Sequence, residues 1–119
     1  LDPTALCRDQ QVLERRHADP YIHHGKIPVH TSRELKRAMR HIQDRLRDVT
    51  TPLLVLHGQS DRLSDVRGSR VLLEGVRSGD KTLKLYQDFL HEILNEPGRE
   101  QVLNDIGEWI GAHIRSGDR

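Results

Sequence analysis

The sequence predicts an α/β fold built on parallel strands, and three features carry that prediction. Residues Pro52–Leu56 form an unbroken apolar run that ends in His57-Gly58, as a strand covered on both faces does. Residues Lys81–Tyr86 alternate as a second strand. Between them Val66, Val71, Leu72, Leu73 and Val76 fall on one face of a helix. A strand–helix–strand unit of this length strongly prefers parallel strands joined by a right-handed crossover.

The elements follow in chain order. Residues 1–31 read as irregular, broken by Asp2-Pro3, Asp19-Pro20 and Ile27-Pro28, with a short helix over Gln10–His17. Thr31 and Glu34 stand at capping-box spacing, and Leu35, Met39, Ile42, Leu46 and Val49 recur behind them, so a helix is expected over Ser32–Asp48. Its other face is rich in arginine but interleaved with Glu34, Asp44 and Asp48, which marks a solvated face. After the first strand a helix is expected over Asp65–Arg77, with Gly79 as its stop signal. Asn95, Glu96 and Pro97 read as the start of the last helix. Its stripe is Val102, Leu103, Ile106, Trp109, Ile110 and Ile114, and Gly117 closes it.

At 119 residues the chain is long enough for one domain. Yet two parallel strands leave both sheet edges open and cannot cover two faces, so the sheet calls for further strands. The chain begins at Leu1 rather than Met. A start at Leu1 fits either processing or a longer parent, and with the open sheet the expectation is the C-terminal part of something larger.

Bulk chemistry removes several classes of function. Nineteen basic against eighteen acidic side chains give a net charge of +1, which argues against nucleic acid or an anionic membrane as main partner. The aromatic residues Tyr21, Tyr86, Phe89 and Trp109 are too few for a base-stacking platform. Cys7 is the single cysteine, so no internal disulfide forms. No apolar run approaches the roughly 18 residues a membrane span needs, and the N-terminus has no signal-peptide pattern.

Ligands of open parallel sheets bind beyond the carboxyl ends of the strands. Two ionisable residues lie there: Asp61 past the first strand and His91 past the second. Neighbouring strands run about 4.8 Å apart, so the two loops can bring carboxylate and imidazole into contact. An aspartate so placed fixes the imidazole tautomer and stabilises its cation.

The segments PLLVLHGQSDRLSD (52–65), KTLKLY (81–86) and HEILNEP (91–97) resemble the C-terminal part of α/β-hydrolases of the monoacylglycerol lipase and lysophospholipase group. Upstream, ADPYIHHGKIP (18–28) is similar to the end of that group's lid. The resemblance implies an α/β-hydrolase fold with the lid end and connecting helix in residues 1–50 and the C-terminal core in 51–119. It also implies that Asp61 and His91 are the acid and histidine of a serine triad; Leu63, by its place next to the acid, is the candidate for a wall of the acyl pocket. The implied substrate is a lipid-like carboxylic ester, a monoacylglycerol or lysophospholipid, and no metal or organic cofactor is implied.

The family order is serine, acid, histidine, so the nucleophile is expected N-terminal to residue 1. No serine here sits in a G-x-S-x-G elbow: Ser60 has Gly58 two residues before it but Arg62 two after, and Ser32, Ser64, Ser69, Ser78 and Ser116 also fail. Three positions depart from the family. Asp88 stands where glycine is common, Leu90 where tyrosine is, and Cys7 replaces a lid serine.

Other side chains have plainer readings. His57 is a strand-end histidine with its hydrogen bond satisfied, and His23, His24 and His30 are solvated lid residues rather than zinc ligands. Cys7 has no charge pattern that would lower its pKa. The expected partners are the ester substrate and the missing N-terminal part or a complementary chain. A second copy, associated through the open sheet edge, is a further candidate. The expected setting is the cytoplasm or the periphery of a membrane. The rival readings are a truncated or pseudo-hydrolase that only binds, and a different α/β-hydrolase such as a peptidase, dehalogenase or epoxide hydrolase.

Overall fold

The computed structural model describes residues 2–116, with side chains as far as Ile114. Two strands, β1 (Leu53–Gly58) and β2 (Lys81–Tyr86), pair in parallel, with Leu53 opposite Lys81 and Gly58 opposite Tyr86. Four helices accompany them in the described residues: α1 (Gln10–Ala18), α2 (Val29–Asp44), α3 (Val66–Gly75) and α4 (Glu100–Ser116). Short 3-10 turns occupy Pro3–Ala5, Leu46–Asp48 and Ile93–Asn95. The core gathers under the C-terminal end of β2, where Tyr86, Phe89 and Val102 are buried and Leu56, Ile93 and Ile106 pack against them.

Both strands lie where the sequence puts them, but the helix boundaries differ. Helix α2 begins at Val29, three residues before the expected Ser32, because Pro28 supplies the break (φ −56°, ψ 142°) with no side-chain cap. Thr31 and Glu34 therefore form no capping box, and Glu34 instead meets Arg33 and Arg37 at 3.5 and 3.9 Å. Helix α3 has Asp65 as its cap, with the carboxylate accepting from the Arg67 N–H, an arrangement that contributes about 1 kcal/mol. It ends at Gly75, where a Cβ would stand 2.6 Å from Leu46 Cδ1, rather than near Gly79. Val76 then turns extended, and the Arg77 N–H donates to the Val49 carbonyl.

The last helix departs most. Asn95, Glu96 and Pro97 do not start it: Asn95 closes a 3-10 turn, Glu96 is buried, and the chain reaches α4 only after Gly98, at φ +89°. The expected stop at Gly117 lies outside the described residues. Several stripe residues read as core are exposed. Leu35, Met39 and Ile42 on α2 and Val71 on α3 are all more than half exposed, and Leu103, Ile110 and Ile114 of α4 are also out. Val55 is buried, yet Leu53, Leu54 and Leu56 are only partly so. A two-stranded sheet has too little surface to cover them all.

Candidate active site

The end of β1 turns sharply, and Asp61 organises the turn. Its N–H donates to the Gly58 carbonyl. Its Oδ1 accepts from the backbone N–H of Leu63 at 2.7 Å and of Ser64 at 3.0 Å. Its Oδ2 accepts from the Ser64 hydroxyl at 2.6 Å and lies 2.9 Å from His91 Nδ1. One oxygen builds the turn, and the other is presented to the imidazole. The side chain is 3% exposed. Burial alone pushes the carboxyl pKa up, but hydrogen bonds from Ser64 and His91, then from the Ser64 and Leu63 amides, outweigh it and hold it well below the usual carboxylate range.

His91 arrives from β2 through a tight loop. Sheet pairing continues into the loops as the Gln59 and Ser60 N–H groups donate to the carbonyls of Tyr86 and Phe89. Asp88 bends the chain at φ +63°, a left-handed conformation that glycine adopts freely and aspartate tolerates. The loop then crosses directly over Gly58, where a Cβ would lie 2.0 Å from the Leu90 carbonyl oxygen. That close approach is the physical reason for the glycine after His57. The His91 imidazole is 41% exposed. With Nδ1–H donated to Asp61, Nε2 carries the lone pair, and it has no hydrogen-bond partner among the described residues. An imidazole in this state is equipped to accept a proton.

The expected pair is thus brought together, and the structure adds residues the sequence reading missed. His57 does have its bonds satisfied, Nδ1 with Ser69 Oγ at 2.6 Å and Nε2 with the Ser64 carbonyl at 3.2 Å. Its Nε2 also sits 3.2 Å from Asp61 Oδ2, so two imidazoles flank one carboxylate. The Ser64 contribution was foreshadowed by the Asp-x-x-Ser spacing, which suits a side-chain-closed turn. Glu96 had no such local signal. It is 1% exposed, its Oε1 accepts from the Leu90 N–H at 2.9 Å, and its Oε2 accepts from Arg8 Nε at 2.8 Å.

Leu63 is half-buried beside the acid and lines a hollow with Asp61, Arg62, Ser64, Asp65 and Val66, a mostly polar set. Cys7 is buried, and that burial pushes its thiol pKa up. His23 lies 3.3 Å from the Lys26 carbonyl, His30 bonds Arg33, and the His24 ring meets that of His17 at 5.5 Å. No group of three or more metal-ligating side chains occurs among the described residues.

The paired parallel strands and their flanking helices form part of an α/β-hydrolase fold. The family model described as "Serine aminopeptidase, S33" matches residues 1–98, and the chain belongs to that family of α/β-hydrolases. It is 43% identical over 114 residues to a monoacylglycerol lipase of Mycolicibacterium smegmatis, covering 96% of this chain and 41% of that protein. It is 34% identical over 111 residues to a caffeoylshikimate esterase of Arabidopsis thaliana, covering 91% and 33%. The crystal structure of a Paleococcus ferrophilus monoacylglycerol lipase superposes with a TM-score of 0.87 at 29% identity, over 95% of this chain and 44% of that one. The chain therefore spans less than half the length of the relatives it matches.

Proposed function

We propose that this chain supplies the acid, Asp61, and the histidine, His91, of a Ser-Asp-His triad that hydrolyses carboxylic esters of lipid-like substrates, with monoacylglycerols as the first candidates. The observation that carries the reading is the 2.9 Å contact between Asp61 Oδ2 and His91 Nδ1 at the carboxyl ends of paired parallel strands. The 43% identity to a monoacylglycerol lipase supports the substrate class, and lysophospholipids are the alternative within it.

In this mechanism a serine hydroxyl from outside the chain attacks the ester carbonyl while His91 Nε2 takes its proton. Backbone N–H donors, also from outside, stabilise the oxyanion. His91 then passes the proton to the departing alcohol, leaving an acyl-enzyme. Water repeats the sequence and releases the fatty acid. Asp61 keeps Nδ1 protonated throughout and steadies the imidazolium. Leu63 forms one wall of the acyl pocket. The triad chemistry calls for no metal or organic cofactor.

The serine belongs to the remaining portion of the hydrolase or to a complementary chain. The outer edge of β1 and the apolar groove between α2 and α3, lined by Met39, Ile42, Leu46, Val71 and Leu72, are the surfaces that portion would cover. Residues 1–50 are read as the lid end and its connecting helix, and 51–119 as the C-terminal core. The cytoplasm or a membrane periphery is the proposed setting. No described helix is long and apolar enough to cross a membrane.

The test is complementation. The chain is joined to the G-x-S-x-G-bearing portion of the M. smegmatis relative and assayed on monoacylglycerol and with a fluorophosphonate probe. Hydrolysis with labelling of the serine supports the triad. A folded, completed protein that is neither labelled nor active, yet binds monoacylglycerol, would make this chain a non-catalytic binding module.

A further inference from the structure

We propose that Arg8 and Glu96 are positioning residues for His91, acting through the loop backbone. The inference rests on the reading of His91 as the triad histidine. The imidazole is 41% exposed and its one short side-chain hydrogen bond is to Asp61, so its placement depends on the peptide that carries it. The N–H groups of the residues on either side of it are held. The Leu90 N–H donates to Glu96 Oε1 at 2.9 Å, and the Glu92 N–H donates to the Leu6 carbonyl at 2.7 Å.

The Glu96 side chain is wholly removed from solvent, and a carboxylate there persists only if paired. Its cation is Arg8, whose Nε donates to Oε2 at 2.8 Å while the guanidinium lies 5.7 Å from the centre of the Phe89 ring. That donor-plus-planar role suits arginine and not lysine. Arg16 adds a weaker contact to Glu92 at 3.7 Å, and Arg62 donates to the Thr4 carbonyl. The Arg8–Glu96 and Leu6–Glu92 bonds strap the segment ahead of α1 to the histidine loop, and a change at Arg8 reaches His91 without touching it.

The experiment follows the ring nitrogens of His91 by 15N NMR in the full chain, with amide exchange at Leu90 and the His113 signals as internal control. Arg8→Ala leaves a buried charge unpaired. The single Nδ1–H tautomer of His91 is then expected to be lost, and Leu90 exchange to accelerate at least about tenfold, with His113 unmoved. In the double variant Arg8→Ala/Glu96→Gln no unpaired charge remains and the amide oxygen still accepts from Leu90, so both signals should recover. Parent-like His91 signals in Arg8→Ala, failure of the double variant to recover, or parallel movement of His113 would each overturn the inference. Should Arg8→Ala not fold, Arg8→Lys decides: intermediate Leu90 exchange supports the strap, and parent-like exchange refutes it. Asp61→Asn separates the two readings. A His91 tautomer indifferent to Asp61→Asn removes the triad itself, whereas one that answers to Asp61 but not to Arg8 removes only the strap.

Discussion

Gly58 and Leu90 meet backbone to backbone, so close that a Cβ on residue 58 would stand 2.0 Å from the Leu90 carbonyl oxygen. The contact seats the histidine loop on the end of β1 and sets the height of His91 above Asp61. Gly58→Ala must therefore lift the loop. A loss of about 1–3 kcal/mol is expected from overpacking, with the Asp61–His91 hydrogen bond broken. Urea denaturation checks the first and the His91 ring nitrogen shifts the second. A variant as stable as the parent would show that the loop yields freely.

Asp61 is the acid on which the proposed chemistry turns. In a hydrolase completed as above, Asp61→Asn should lower kcat by about 10⁴, because the amide no longer enforces the Nδ1–H tautomer. A variant that keeps more than about a tenth of the activity takes Asp61 out of the mechanism.

The same carboxylate should mark the acid limb of stability. Its pKa when folded lies below the ordinary 3.8. The unfolded chain therefore binds its proton first, and the stabilisation is present above about pH 4 and lost as pH falls through the folded value. Urea midpoints measured between about pH 2 and 6 should drop more steeply for the parent than for Asp61→Asn. Equal slopes would mean that the carboxyl is not held down.

His113 should act in the opposite sense. Its Nδ1–H donates to the Trp109 carbonyl at 2.6 Å and its Nε2–H to Asp80 at 2.8 Å, and both bonds favour the imidazolium, raising the pKa above 6.5. Its contribution is complete below the unfolded value and fades as pH rises through the folded one. An NMR titration should place its midpoint above 6.5, and His113→Gln should remove that part of the pH dependence. A midpoint at or below the ordinary value rejects the double-donor geometry.

Asp88 occupies a left-handed position at φ +63°. Asp88→Val is expected to cost about 1–2 kcal/mol, while Asp88→Gly should cost nothing or stabilise slightly. Thermal melts of the two variants side by side decide the matter, and equal losses would contradict a backbone cause.

By itself the sequence determined what depends on local chemistry. The apolar run and the alternating stretch define β1 and β2 almost to the residue, because a strand's burial is written in its own side chains. Parallel pairing of neighbouring strands puts the two following loops side by side, so order and spacing allow Asp61 to approach His91, and the family resemblance singles the pair out. Tertiary structure decided what depends on distant partners. Asn95-Glu96-Pro97 has the composition of a helix start, yet Glu96 is drawn inside because Arg8 and the Leu90 amide, far away and next door, together satisfy its charge. His57 reaches the acid only because the turn folds back over the strand end. Helical stripes such as Leu35, Met39 and Ile42 reveal an apolar face, but whether that face is covered depends on how much sheet lies beneath it, and two strands supply little.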